Sequence, residues 1–136
     1  MTQTELRVTI RGEMDVTRAM LDAGRFSKDC GFADAASMMI STAVSELARN
    51  ILCHGGGRGE IRLARIDDGR SSGVRLEARD SGPGIADLER ALEDHFSSAG
   101  TLGLGLPGVK RMMDEFEIDS TPGEGTRVRV CKWLVS

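Results

Sequence analysis

Alternating apolar and polar positions recur along the chain and predict strands with one buried face. Leu6, Val8 and Ile10 begin the pattern, each between charged or polar neighbours. The same alternation predicts strands over residues 60–66, 73–80, 117–120 and 126–135. Because residues 67–72 are rich in turn formers, we expect the second and third strands to form a hairpin.

Helical spacing fills much of the remaining sequence. It predicts a first helix over residues 14–28, ended by Gly31, and a second helix from Asp34, its N-cap, to about Cys53. Three consecutive glycines at 55–57 end this second helix. Its buried stripe is predicted to consist of Ile40, Val44, Leu47 and Ile51.

The last third of the chain combines glycine-rich loops with short elements. We expect an acidic helix near residues 86–94, a loop over 96–103, and a helix from there to about Phe116. With the strands, these helices predict a layered α+β sandwich. The length of 136 residues fits a single domain spanning residues 1–136.

Composition narrows the classes of protein. A content of 40% hydrophobic and 29% charged residues is typical of a soluble globular protein, and no apolar run is long enough for a membrane span or a secretory signal. We therefore expect a cytoplasmic protein. The net charge of −3, with both signs mixed, argues against binding to nucleic acid. Three widely spaced cysteines, Cys30, Cys53 and Cys131, suggest reduced structural thiols.

Glu46 and Asn50 are the first candidate site residues. They lie four positions apart on the second predicted helix, and therefore on one face, at the edge of the apolar stripe. An asparagine oxygen is a suitable ligand for Mg²⁺, and a nearby glutamate can accept a hydroxyl proton. An ordinary solvated helix face would have the same spacing, so the pair alone does not decide the matter.

Asp80 ends a strand on the same side as apolar residues, where a carboxylate needs hydrogen-bond donors. The exocyclic amine of adenine is one such donor. Thr126 has the same parity on the last strand and offers a hydroxyl to the same interior. After Asp80, the glycines 82 and 84 would let the backbone pass close to a flat base, with Ile85 beside it. A plain turn at Asp80 would look similar.

A glycine cluster precedes the predicted helix that ends near Phe116. Gly103, Gly105 and Gly108 can direct backbone N–H groups and a helix N-terminus at phosphates. The spacing also matches the dinucleotide fingerprint G-x-G-x-x-G. We reject that interpretation because no apolar strand leads into the cluster and too little chain follows it.

The order of these motifs is more specific than any one of them. E-x-x-x-N at residues 46–50, D-x-G-x-G at 80–84, G-x-G-L at 103–106 and G-x-G-T at 123–126 follow one another along the chain. This order resembles the gyrase, histidine-kinase and mismatch-repair (GHKL) ATPase superfamily. The resemblance implies a two-layer sandwich in which helices cover one face of a mixed, mainly antiparallel sheet, the Bergerat-type ATP-binding fold.

The resemblance also implies roles for individual residues. Glu46 would be the catalytic base, Asn50 the ligand of Mg²⁺, Asp80 the residue that reads adenine, and Thr126 its support. Residues about 86–102 would form a lid over ATP. The implied nucleotide-binding residues are Asn50, Asp80, Gly82, Gly84, Ile85, Gly103, Leu104, Gly105, Leu106 and Thr126.

Within that superfamily, residues 45–50 and 105–116 look like those of the RsbT-type switch-protein serine/threonine kinases, which belong to the anti-sigma regulatory factors. The resemblance implies an ATP- and Mg²⁺-dependent kinase that phosphorylates a STAS-domain anti-sigma-antagonist in a bacterial partner-switching pathway. On release it would activate a phosphatase. The alternative is an anti-sigma factor that sequesters a sigma subunit while nucleotide sets its conformation; a simple ATPase is a third possibility.

Overall fold

A computed structural model describes residues 4–84 and 105–134 of the chain, and these form five strands and three helices. In chain order they are β1 (Glu5–Ile10), α1 (Glu13–Asp29), α2 (Asp34–His54), β2 (Gly59–Asp67), β3 (Ser72–Asp80), α3 (Gly105–Met112), β4 (Glu115–Thr121) and β5 (Gly125–Trp133). None of the three helices is long and apolar enough to cross a lipid bilayer. The predicted α+β class is confirmed.

The five strands form one open sheet with the spatial order β1-β2-β3-β5-β4. Every pairing among these strands is antiparallel, and the predicted β2–β3 hairpin is present. Placing β5 between β3 and β4 brings the end of β3 beside the start of β5, so that Asp80 pairs with Thr126.

The two faces of the sheet differ sharply in chemistry. Aligned positions on one face give an apolar row across all five strands, formed by Val8, Ile61, Ala78, Val128 and Ile118, of which only Ile118 is half-buried and the others are buried. The row beside it, on the opposite face, is charged and contains Arg7, Arg62, Glu77, Arg129 and Glu117. The alternation in the sequence therefore separates a face for the helices from a solvated face.

All three helices belong to the core on the apolar face. The predicted stripe of α2 is fully buried, with Ile40, Val44, Leu47 and Ile51 each at most 2% exposed. Helices α1 and α2 pack as a hairpin, and a pair of buried hydroxyls, Ser27 Oγ and Ser37 Oγ, lie 2.7 Å apart across it. Each hydroxyl oxygen also lies 3.0 Å from the Gly24 carbonyl oxygen, so one hydroxyl can donate to the carbonyl while the other donates to its partner hydroxyl, and no buried polar atom is left unsatisfied there.

Two predicted boundaries were wrong. The third helix does not continue to Phe116 but ends at Met112, and β4 begins at Glu115. The Asp114 N–H donates to the Cys131 carbonyl of β5 at 2.9 Å. The chain therefore pairs with β5 from this residue on, and the helix cannot continue. Asp34 is likewise not an N-cap, because the helix is capped at Ala33 and the Asp34 carboxylate instead pairs with Lys28 Nζ at 3.3 Å.

Other expectations fall on residues that the structure does not describe. The predicted acidic helix over 86–94, the loop over 96–103 and the lid over 86–102 lie outside residues 4–84 and 105–134. These three elements stay predictions.

Leu47→Ala should lower the free energy of unfolding by about 2–5 kcal/mol, because it removes a side chain that is 1% exposed at the centre of the α2 stripe. Met38→Ala is the matched control on the same helix, since Met38 is 69% exposed and should change stability by less than about 0.5 kcal/mol. Urea denaturation measures both. Equal effects of the two substitutions would contradict the assignment of the buried face.

Candidate functional site

Asp80 lies at the end of β3 on the helix-covered side of the sheet, as its parity with Ala78 predicts. Its Oδ1 accepts two backbone N–H groups, from Gly82 at 3.0 Å and from Thr126 at 3.3 Å. The first bond is the one expected of a plain turn at Asp80, and the second connects β3 to β5. Both go to the same oxygen, and no donor to Oδ2 is found among the described residues. The second oxygen is therefore the one available to a ligand.

Glycines surround this carboxylate. A Cβ added at Gly55, the C-cap of α2, would lie 2.6 Å from both Cγ and Oδ2 of Asp80. A Cβ at Gly82 would collide with the Gly55 backbone, and one at Gly125 with the Asp80 carbonyl oxygen. Three segments distant in sequence thus meet at Asp80 in contacts that only glycine permits.

Thr126 contacts Asp80 through its backbone. Its N–H donates to the carboxylate, and its hydroxyl lies 2.8 Å from the hydroxyl of Ser120 across the β4–β5 pair. Asp80, Thr126 and Ser120 are aligned on the helix-covered face, and the contribution of the Thr126 hydroxyl to an adenine site stays a prediction. Strand pairing supplies the N–H, which the parity of side chains could not reveal.

The loop after Asp80 is tied to the β4–β5 turn. Gly123 N–H donates to the Pro83 carbonyl at 2.8 Å, and a Cβ at Gly84 would lie 2.5 Å from the Thr121 carbonyl oxygen. Gly84 also has a φ of +79°, which favours glycine. The loop therefore runs close to this turn, and Gly82 and Gly84 keep its backbone bare.

Glu46 lies at the other end of the site, on α2. Although charged, it is only 8% exposed, and its Oε2 accepts the Gly105 N–H at the start of α3 at 3.3 Å. Asn50 is half-buried one turn further along α2, and the described residues give its side-chain amide no hydrogen-bond partner. A solvated helix face is thereby excluded for Glu46, because its carboxylate is buried against the N-terminus of another helix.

The structure thus brings the predicted residues into two groups along α2. Glu46, Asn50 and Gly105 form one group, while Asp80 and Thr126 form the other, against Gly55. Glu46 and Gly55 are nine positions apart along the helix, roughly 13 Å along the axis. Leu106 is 6% exposed and packs in the core, so only its backbone can face a ligand. Ile85, Gly103 and Leu104 lie outside the described residues.

Gly55 is the site residue that sequence reasoning missed. It was interpreted only as the end of a helix, and its contact with Asp80 spans 25 positions of sequence. The unusual run of three glycines after α2 was the available signal, since one glycine is enough to end a helix.

The three cysteines are free thiols, of which Cys30 and Cys131 are half-buried and Cys53 is exposed. No three His, Cys, Asp or Glu side chains in residues 4–84 and 105–134 come together as a metal site. Burial raises the pKa of the Cys30 thiol, and Arg65 only partly opposes the shift. Burial likewise raises the pKa of Cys131. These two thiols stay protonated at neutral pH, which agrees with structural roles.

Comparison with known proteins identifies the family. Residues 11–132 match the histidine kinase-like ATPase domain. The chain is 44% identical over 127 residues to the serine/threonine-protein kinase RsbT of Bacillus subtilis (strain 168), covering 93% of this chain and 95% of that protein. It is 36% identical over 102 residues to the anti-sigma F factor of Thermoanaerobacter sp. (strain X514), covering 71% and 70% of the two chains.

A solved structure agrees with the fold. The mycobacterial sensor histidine kinase MprB superposes with a TM-score of 0.57 at 20% identity, covering 94% of this chain and 97% of that one. The resemblance read from the order of the motifs is therefore confirmed. The chain belongs to the histidine kinase-like ATPase family.

Proposed function

We propose that this chain is an ATP- and Mg²⁺-dependent serine/threonine protein kinase. The observation that carries the proposal is the position of Glu46, a buried carboxylate one helical turn from Asn50 and against the N-terminus of α3. A carboxylate at that position can accept the proton of a hydroxyl that attacks a phosphate, and the helix N-terminus beside it can bind that phosphate. The kinase is preferred to an anti-sigma factor because the relative named as a kinase matches more of the chain at higher identity.

Asp80 is the proposed adenine contact. Two backbone N–H groups hold its Oδ1, and this arrangement fixes the carboxylate while Oδ2 accepts from the exocyclic amine of the base. The bare backbone at Gly82 and Gly84 leaves room for a flat ring. We also propose Ile85 beside the base. These residues fit adenine, because its exocyclic amine needs one hydrogen-bond acceptor and its flat ring needs a backbone without side chains beside it.

Asn50 and the start of α3 are the proposed contacts for the phosphates and Mg²⁺. The Asn50 oxygen is a hard ligand, and one such protein ligand is typical of a Mg²⁺ that is held mainly by phosphates and water. The N-terminus of α3 carries partial positive charge. Gly103, Leu104, Gly105 and Leu106 would provide backbone donors there. The distance along α2 between Glu46 and Gly55 would then let one nucleotide contact Asp80 with its base and approach Glu46 with its γ-phosphate.

Glu46 is the proposed catalytic base. The Gly105 N–H holds Oε2, so the carboxylate points where an acceptor hydroxyl can approach. Glu46 accepts the hydroxyl proton while the hydroxyl oxygen bonds to the γ-phosphorus of ATP, and the bond to the bridging oxygen breaks to release ADP. Mg²⁺, held by Asn50, would neutralise charge on the phosphates. We propose that residues about 86–102 close over the nucleotide as a lid.

The proposed acceptor is a serine or threonine of a STAS-domain protein. This follows from the likeness to RsbT-type kinases, and the same likeness suggests that the released kinase activates a phosphatase. A second candidate function is that of an anti-sigma factor that binds a sigma subunit, because an anti-sigma F factor is among the relatives. In both candidate functions the chain binds one partner protein and releases it before it binds another.

Labelled ATP, Mg²⁺ and a STAS protein encoded nearby test the proposal. The wild-type chain should label a serine or threonine of the STAS protein. Glu46→Gln should lower the rate of transfer roughly 10²–10⁴-fold, because the amide cannot accept the proton, while ATP affinity stays close to that of the wild type. Single-turnover assays and calorimetry measure the two quantities.

Asn50→Ala is the matched comparison one turn away. Loss of the proposed metal ligand should weaken Mg²⁺-dependent nucleotide binding as well as slow transfer. Wild-type transfer by Glu46→Gln would contradict the role of Glu46. Stable binding of a sigma subunit without any transfer to a STAS protein would favour the anti-sigma alternative.

Gly55→Ala should weaken ATP binding by about tenfold or more, because the new methyl group would push Asp80 away from the Thr126 and Gly82 N–H groups. The backbone itself tolerates alanine, since the φ of Gly55 is −100°. Calorimetry with ATP measures the loss of affinity.

Gly57→Ala is the control in the same turn. Gly57 has a φ of +79° but nothing within 4 Å of an added Cβ, so alanine there should cost stability, about 1 kcal/mol, without touching Asp80. Nucleotide affinity should stay near that of the wild type. If the two variants bind ATP equally well, Gly55 does not position Asp80.

A further inference from the structure

A second concave site lies at the strand ends that hold Asp80 and extends onto the charged face of the sheet. Gly55 and Asp80 also line it, so it adjoins the proposed nucleotide site. It is a cleft of about 640 Å³ whose walls include four arginines and two hydroxyl residues. We call it the arginine cleft and define it by Thr9, Arg11, Arg58, Arg62, Arg79 and Ser81. The arginines come from three strands or their ends, so the fold assembles a cluster that is not contiguous in the sequence.

Strand register brings Arg11 and Arg58 side by side. Ile10 is paired with Gly59, and these are the last pair of the β1–β2 ladder. The next residue on each chain segment, Arg11 and Arg58, therefore lies in the following row. Both have the parity of the charged face, and both line the cleft. Two positively charged residues consequently lie in adjacent positions in the lining of the cleft.

The arginines differ in how their charge is balanced. Arg62 hydrogen-bonds to Glu60, which Arg7 Nε also approaches at 3.3 Å. Arg79 Nε lies 3.8 Å from Glu77. Among residues 4–84 and 105–134, by contrast, no carboxylate lies within ion-pair distance of Arg11 or Arg58, and both are exposed.

Unbalanced like charges in adjacent positions repel each other and destabilise a sheet. An anion between Arg11 and Arg58 would relieve that repulsion. Guanidinium groups form paired hydrogen bonds to a carboxylate, and the hydroxyls of Thr9 and Ser81 add donors at the same cleft.

We infer that the arginine cleft binds carboxylate side chains of an acidic segment in a partner protein. A nucleic-acid backbone fits less well, because its continuous run of phosphates would also meet Glu60, Asp80 and Glu124 in the walls, whereas a short acidic segment needs only the end of the cleft at Arg11 and Arg58. The inference does not depend on the kinase assignment, since neither Arg11 nor Arg58 belongs to the proposed nucleotide site. It assigns the arginine end of the cleft to partner binding.

Titration of the ¹⁵N-labelled full chain with a hexaglutamate peptide, without nucleotide, tests the inference. Amide signals of residues 9, 11, 58 and 81 should shift and saturate, and added NaCl should weaken the binding. The double variant Arg11→Gln/Arg58→Gln should bind about tenfold more weakly or worse. Its amide spectrum reports directly whether it remains folded.

Arg25→Gln/Arg70→Gln is the matched control, because it removes two exposed arginines outside the cleft and changes the net charge equally. Its affinity for the peptide should stay within about twofold of the wild type. Equal losses in the two double variants would overturn the inference in favour of general charge attraction. Shifts confined to other residues would overturn it too, as would stronger binding of a hexathymidylate strand at the same amides.

Discussion

The close approach of three glycine backbones to Asp80 is the constraint on which the site depends. No side chain larger than hydrogen fits at Gly55 against the carboxylate, at Gly82 against Gly55, or at Gly125 against the Asp80 carbonyl. This contact fixes the C-terminal end of α2 on the end of β3. Because α2 is a continuous helix, it also fixes Glu46 at a set distance from Asp80. One steric contact thus sets the geometry of both ends of the site.

The same strand ends have different chemistry on their two faces. On the helix-covered face, the row of Asp80 and Thr126 continues the apolar rows of the core, with backbone N–H groups on Asp80 Oδ1 and the Ser120 hydroxyl beside that of Thr126. On the other face, the neighbouring row carries Arg79, and the arginine cleft lies beside it. The proposed nucleotide site and the proposed partner site therefore adjoin at this end of the sheet, where Gly55 and Asp80 line both.

Much of this arrangement could be predicted from the sequence, because local patterns determine it. Period-two alternation gave the strands, and the i, i+4 spacing placed Glu46 and Asn50 on one face. The boundary between α3 and β4 could not be predicted, since Phe116 satisfies both a helical spacing from Met112 and the strand alternation, and pairing with β5 decides between them. The contact between Gly55 and Asp80 was also hidden, because a glycine carries no side chain to signal a long-range partner.

The central claim is that the Asp80 carboxylate recognises the exocyclic amine of adenine. Calorimetry with ATP and with purine riboside triphosphate, which lacks only that amine, tests it most directly on the unaltered protein. The account predicts that loss of the amine weakens binding by about tenfold or more, because a charged hydrogen bond is lost and Asp80 keeps an unpaired oxygen. Equal affinity for the two nucleotides would contradict the account.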